Sequence, residues 1–147
     1  MEKKIFDIDP DRCVGCYACV VACMDQNDLI PDDPALIWRS VYSSVENGKT
    51  RYSSIACLHC DDAPCVAACP TGAVFKDEKT CLVGSDKSKC IGCKNCAKSC
   101  PFGAPKFDRD GKMEKCTGCT IRVKNGLIPA CVRVCPTKAI KYAVCGP

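Results

Sequence analysis

Cys90-Ile91-Gly92-Cys93-Lys94-Asn95-Cys96-Ala97-Lys98-Ser99-Cys100-Pro101 sets three cysteines at steps of three, a fourth four residues on, and a proline directly after it. The plan recurs three more times. Cys13-x2-Cys16-x2-Cys19-x3-Cys23 keeps the spacing but is followed by Met24. Cys57-x2-Cys60-x4-Cys65-x3-Cys69-Pro70 widens the middle gap to Asp61-Asp62-Ala63-Pro64. Cys116-x2-Cys119-x11-Cys131-x3-Cys135-Pro136 opens it further, from Thr120 to Ala130. Sixteen of the 18 cysteines lie in these runs. With the strand-like stretches between them, the runs make an internal repeat.

So many cysteines in 147 residues mean disulfides, zinc or iron–sulfur clusters. Disulfides suit a secreted chain, yet the start, Met1-Glu2-Lys3-Lys4-Ile5-Phe6-Asp7, has no apolar stretch of signal-peptide length and no twin arginine. The expectation is therefore a cytoplasmic protein, with export alongside a signal-bearing partner as the other route. Zinc sites pair one C-x2-C with a second or with histidines, and His59 is the single histidine. The spacing C-x2-C-x2-C-x3-C-P is the bacterial ferredoxin ligand run, whose fourth cysteine binds the other cluster of a pair. Four runs imply four [4Fe-4S] clusters, and so electron transfer.

The spacing has a physical basis. Steps of three let a tight loop bring three sulfurs round one cluster. Gly15, Gly92 and Gly118 stand between the first two cysteines of three runs, where a side chain would crowd the cluster or block the backbone angles. The fourth cysteine lies one helical step of about 6 Å beyond the third, which carries its sulfur toward a neighbouring cluster. Proline then ends the turn.

The formal charge of +4 changes sign once clusters are counted. Each cluster with its four thiolates carries about −2, so four bring the loaded protein to about −4. The basic excess compensates cluster charge and is no nucleic-acid footprint. It is unevenly spread: residues 1–70 carry −5 and residues 71–147 carry +9. No apolar stretch is long enough to span a bilayer. Strands are expected at Lys4–Asp9, Leu36–Tyr42, Arg51–Ile55 and Cys81–Val83, and a turn followed by a strand at Thr71–Phe75, Phe102–Phe107 and Thr137–Tyr142. Pro31–Pro34 reads as loop and Asn47-Gly48 as a hairpin turn. The fold class is α+β: short strands and short helices round clusters, in paired ferredoxin-like units.

Five stretches carry a more specific likeness. They are Cys57-Leu58-His59-Cys60-Asp61-Asp62-Ala63-Pro64-Cys65, Cys90 to Cys96, Cys100-Pro101-Phe102-Gly103-Ala104-Pro105, Lys115-Cys116-Thr117-Gly118-Cys119, and Pro129-Ala130-Cys131 through Cys135-Pro136-Thr137. In these the chain resembles the four-cluster iron–sulfur subunit of the dimethyl sulfoxide reductase family, the electron-transfer partner of molybdopterin or tungstopterin enzymes. The resemblance implies that these units are two and nested, an inner one at approximately 52–107 and an outer one at approximately 1–51 plus 108–147. It implies four ligand sets: Cys13, Cys16, Cys19 and Cys135; Cys23, Cys116, Cys119 and Cys131; Cys57, Cys60, Cys65 and Cys100; and Cys69, Cys90, Cys93 and Cys96. In the family these form a wire in that order, the first nearest the catalytic cofactor. Many relatives are longer; ending at Pro147, this chain reads as a minimal soluble subunit.

Cys81 and Cys145 belong to no run and read as small buried hydrophobes rather than ligands. His59 either tunes a cluster by a hydrogen bond or fills its loop. Trp38 and Arg39 read as a core contact, with partner docking as the alternative. Lys94, Lys98 and Lys115 moderate cluster charge or simply solvate the surface. The function expected is electron transfer to or from a catalytic oxidoreductase subunit, with further electron-transfer subunits or copies of this chain as additional partners. A free-standing polyferredoxin and a filament-forming conduit are the alternatives. With one histidine, no dinucleotide fingerprint and no phosphate loop, the chain is not expected to be an enzyme by itself.

With so few aromatics, cluster binding becomes folding free energy. Removing iron with a chelator should abolish the cooperative melt; a native-like circular dichroism spectrum with a sharp transition after removal would overturn this.

Overall fold

The structure, a computed structural model, describes residues 5–29 and 36–144. In chain order the elements are β1 (Phe6–Ile8), α1 (Ala18–Gln26), β2 (Ser40–Glu46), β3 (Lys49–Ile55), α2 (Pro64–Ala68), β4 (Val74–Lys76) and β5 (Val83–Ser85). They continue with α3 (Asn95–Ser99), β6 (Lys106–Phe107), β7 (Met113–Glu114), α4 (Thr120–Lys124), α5 (Ala130–Val134) and β8 (Ile140–Tyr142). Short strands and helices alternate, an α+β arrangement in which every cysteine run supplies at least one helix.

Proline sets the helix lengths. α2, α3 and α5 each stop one residue before a cysteine that Pro70, Pro101 or Pro136 follows. Proline disfavours helical backbone at the residue before it, and Cys69, Cys100 and Cys135 are all extended. Met24 stands at the corresponding place in the first run, so α1 runs on through Cys23 to Gln26, nine residues against five.

All strand pairs among the described residues are antiparallel and two-stranded. β2 and β3 form a hairpin closed at Asn47-Gly48, both with positive φ (51° and 73°), as a type I′ turn requires. β4 pairs with β5 and β6 with β7. The one long-range sheet joins the ends of the chain: Phe6 opposes Tyr142 and Ile8 opposes Ile140. Helices pair in the same nested sense, α1 packing on α5 and α2 on α3. The first run therefore lies against the fourth, and the second against the third.

Sequence and structure differ in places. The strand expected at Leu36–Tyr42 begins only at Ser40, because Arg39 is drawn into the interior and Trp38 packs against the group containing Cys57 and Cys116. The strand expected from Cys81 begins at Val83; Cys81 has a left-handed backbone (φ 59°) that no strand accommodates. Two elements have no counterpart in the sequence reading: β7, and α4 within the eleven-residue gap of the fourth run. Lys4, Pro31–Pro34, Cys145 and Pro147 lie outside the described residues.

The core is three small groups in which cysteines stand beside aliphatic residues. One holds Phe6, Cys19, Val20, Leu82, Cys131 and Ile140. A second holds Ala63, Cys65, Val74, Val83, Cys96 and Met113, and a third Ala56, Cys57, Ala104 and Cys116. Phe6 is fully buried, its ring 5.5 Å from those of both His59 and Tyr142. It locks the terminal sheet onto the second cysteine loop. Phe6→Ala should cost about 3–5 kcal/mol, read as a lowered denaturation midpoint of the loaded protein; a change under about 1 kcal/mol would remove Phe6 from this role.

Candidate metal centres

Cysteines from distant parts of the chain converge in groups. Cys13, Cys16, Cys19 and Cys135 line one cavity of about 330 Å³, with Ser54 and Thr137 on its wall. Cys69, Cys90, Cys93 and Cys96 line another of about 360 Å³, with Phe107 and Met113. Cys23 lies within electrostatic reach of Cys116, Cys131 and Cys119. Cys65 lies within reach of Cys57 and Cys100, and Cys60 packs on the core group that contains Cys65. Among the described residues no three His, Cys, Asp or Glu side chains close on a point as ligands of a single ion would. Sulfurs arranged round a volume suit a multi-iron group better than one metal ion.

The groups differ in exposure, and their thiols follow. Burial pushes Cys23 and Cys131 up to about 12; nearby thiols, Cys116 foremost, add to this and Arg39 opposes it. Burial likewise raises Cys65 to about 11, and raises Cys57 against the pull of Lys115. Cys69 and Cys135 go the other way. Burial raises both, but backbone and Thr hydroxyl hydrogen bonds outweigh it, bringing Cys69 down to about 7 and Cys135 below the ordinary thiol value. Each belongs to a Cys-Pro-Thr triplet: Thr71 Oγ1 lies 3.6 Å from Cys69 Sγ and Thr137 Oγ1 3.7 Å from Cys135 Sγ. Ala139 N–H donates to Cys135 Sγ at 3.3 Å. Donors aimed at sulfur favour the thiolate that binds iron. Further backbone donors reach Cys57 (from His59, 3.4 Å), Cys90 (from Met113, 3.3 Å) and Cys116 (from Gly118, 3.3 Å).

Two cations lie in this interior. Arg39 is 1% exposed and Lys115 3% exposed, and among the described residues neither pairs with a carboxylate. Arg39 Nη1 donates to Ser54 Oγ at 2.9 Å, leaving that hydroxyl free to donate to Cys19 Sγ 3.3 Å away. Burial works against the guanidinium charge, but Cys131, Cys116, Cys19 and Cys23 outweigh it and raise the Arg39 pKa. Lys115 Nζ donates to the carbonyls of Val83 (2.5 Å) and Cys116 (2.9 Å). His59 accepts the Val83 N–H at Nδ1 (2.9 Å), so its proton sits on Nε2. Burial, with Lys115 and Arg39 beside it, holds this imidazole well below its usual range, hence neutral at pH 7. Trp38 Nε1, Arg39 Nη2 and His59 Nε2 are buried donors without a partner. A buried cation without an anion costs several kcal/mol, and orphaned donors cost about 1–3 kcal/mol each. Thiolate-held clusters of about −2 charge supply the missing anion and acceptors. The residues present therefore fit [4Fe-4S] groups.

The second run reads differently in three dimensions. Gly92 and Gly118 have φ of 73° and 68°, and a Cβ on either would strike protein, not only a cluster: the Gly111 carbonyl (2.8 Å) and the Leu82 side chain respectively. His59 occupies the matching position in Cys57-Leu58-His59-Cys60 with φ 51°. There a side chain is accommodated because it points into the core. Of the three lysines singled out from sequence, Lys115 is buried while Lys94 and Lys98 are not, Lys94 lying 5.5 Å over the Phe107 ring. Trp38 and Arg39 make core contacts. Cys81 is not a simple buried hydrophobe: it is half-buried and disulfide-bonded. Ser54, Thr71 and Thr137 could not be found from spacing, although the repeated Cys-Pro-Thr was a usable signal for two of them.

Comparison with known proteins agrees with this chemistry. The 4Fe-4S dicluster domain matches residues 48–144, and a second 4Fe-4S dicluster domain matches residues 12–74. The chain belongs to the 4Fe-4S dicluster family. Within it, the B subunit of the anaerobic dimethyl sulfoxide reductase of Escherichia coli is 39% identical over 150 residues, covering 93% of this chain and 71% of that protein. The thiosulfate reductase electron transfer subunit of Salmonella typhi is 41% identical over 140 residues, 91% and 72% covered. The iron-sulfur subunit of the nitrate-inducible formate dehydrogenase of Escherichia coli is 37% identical over 153 residues, 92% and 52% covered. The dicluster chain is an iron–sulfur electron-transfer protein, and its relatives are named as electron-transfer or iron–sulfur subunits of oxidoreductases. No helix among the described residues is long and apolar enough to cross a membrane.

Gly118→Ala should destabilise this dicluster protein by more than about 1 kcal/mol, since it combines a left-handed backbone with a clash on Leu82. In a chelator challenge of the loaded protein, iron loss should be faster than in the unsubstituted protein; an unchanged rate would count against the Leu82 contact as the constraint.

Proposed function

We propose that the sixteen run cysteines hold four [4Fe-4S] clusters and that the chain conducts electrons to or from a catalytic subunit of the molybdopterin or tungstopterin type. The ligand sets of this reading are Cys13/Cys16/Cys19/Cys135, Cys23/Cys116/Cys119/Cys131, Cys57/Cys60/Cys65/Cys100 and Cys69/Cys90/Cys93/Cys96. The observation that carries it is the crossed packing of α1 on α5 and α2 on α3. It supports this reading because it brings together the runs that would have to share ligands, the first with the fourth and the second with the third. The names of the relatives, subunits of dimethyl sulfoxide and thiosulfate reductases, support the partner type. The inner unit is approximately residues 52–107 and the outer one the remainder.

A [4Fe-4S] cluster supplies one-electron exchange without a substrate site. The chain's own residues then have three tasks. Buried Cys23, Cys57, Cys65 and Cys131 keep the middle sets from water. Exposed Cys16 and Cys93 bring the other two sets to the surface. Val14 and Tyr17 near the first, and Ile91 near the fourth, give apolar rims to those openings, the composition of a contact surface.

Iron and sulfide analysis of the anaerobically purified protein should return about sixteen of each per chain. Cys93→Ser should alter the electron paramagnetic resonance signal of one cluster and leave three. A total nearer twelve, or a change in two signals, would overturn the ligand sets. Co-purification with a pterin-containing subunit tests the partner, and a native protein that elutes alone and serves several enzymes overturns it.

A further inference from the structure

The buried nitrogen donors of the interior are not scattered. Trp38 packs on the group containing Cys57 and Cys116. Arg39 faces Cys131, Cys116, Cys19 and Cys23. Lys115 precedes Cys116 in the chain and faces Cys57 and Cys65. His59 lies between Cys57 and Cys60 and faces both cations. All four converge where the second and third ligand sets meet, and three carry an N–H with no partner. Around the fourth ligand set no fully buried cation and no orphaned donor is found among the described residues, and the influences on its Cys96 are burial, backbone amides, Cys90 and Cys93. Of the lysines near it, Lys94 and Lys98 are open to solvent, where water and salt screen them, and Lys112, half-buried, donates from its ammonium to the Cys90 carbonyl.

We propose that Arg39, His59, Lys115 and Trp38 form a positive, hydrogen-bonding seam that makes the two central clusters the first to accept electrons. This rests on the four-cluster reading. One-electron reduction takes a cluster with its thiolates from about −2 to about −3 with no bond made or broken at the protein. Burial alone disfavours that extra charge, since water no longer solvates it. A fixed cation and orphaned donors in a medium of low dielectric favour it and cost no reorganisation. Here both buried cations and the three orphaned donors found among the described residues lie on the central sets, so the seam outweighs the burial. Arg39 also reaches the first set through Ser54 and Cys19, a weaker second target. The seam's function is to hold electrons in the interior, away from both surface openings, until a partner draws them out.

Redox titration of the full chain with dithionite, followed by electron paramagnetic resonance, tests this. Iron analysis comes first: fewer than four clusters would defeat the four-cluster reading itself, a result distinct from any change in the order of reduction. With four clusters present, Lys115→Met should lower the reduction equilibrium constant of the central pair at least tenfold, about 59 mV for a one-electron couple. The cluster of Cys69, Cys90, Cys93 and Cys96 should not move. Lys115→Arg, which keeps the charge, should restore most of the shift, whereas a packing role alone would not track charge. Arg39→Gln should act chiefly on the cluster of Cys23, Cys116, Cys119 and Cys131. An equal shift of all four clusters, or none, overturns the proposal. Should these variants lose iron, chains bearing only Cys16→Ser or Cys93→Ser mark the outer clusters by altered spectra. The first signals to appear on reduction should then be the unmarked ones; marked signals appearing first overturn the proposal.

Discussion

A thiolate withdrawn from water raises the free energy of the folded chain unless a cation, a metal or a hydrogen-bond donor stands beside it. This protein places cysteines in each of its three core groups, where another small domain would place leucine or valine. Where the sulfurs are deep, the chain sets Arg39 and Lys115 beside them. At the ends of the second and fourth runs, Cys-Pro-Thr triplets bring hydroxyls and backbone amides onto them. Two local solutions thus answer one electrostatic demand.

The same demand explains why so little regular structure suffices. Five-residue helices, two- or three-residue strands and the hairpin of the seven-residue β2 and β3 are too small to be stable alone. They act as brackets that orient sulfurs, and iron would tie them together. Among the helices the nine-residue α1 is the exception, and its extra turn follows from a single missing proline. It brings Asn27 to the end of the helix, where the side-chain amide donates to Cys23 Sγ at 3.6 Å.

Much of this was legible in the sequence, for identifiable reasons. Cysteine spacing is a direct geometric code, so the four runs, their helices and the strands after them could be read from it. The Asn47-Gly48 turn and its returning strand follow from backbone preference at two positions. What escaped was whatever depends on tertiary contact. Nothing in the sequence around Arg39 says that the chain must turn inward before β2, because the two thiols that act on it most strongly, Cys131 and Cys116, are far along the chain. Lys94, Lys98 and Lys115 look equivalent as neighbours of ligands, yet only Lys115 faces the interior. His59 was recognisable as unusual in a position otherwise held by glycine, but its tautomer is set by the Val83 amide on a distant strand.

The sheet that joins β1 to β8 has a consequence for how the chain is made. Phe6 leaves the ribosome early, while Tyr142, its partner, emerges 136 residues later. At about 5–20 residues per second the gap is on the order of ten seconds. Over that interval α2 and α3 can already meet, since their sequences are close, whereas α1 waits with its cysteines exposed for α5. The sequence distances therefore let the α2–α3 pair form before the α1–α5 pair. The first run, although synthesised first, meets its packing partner only when the fourth has emerged.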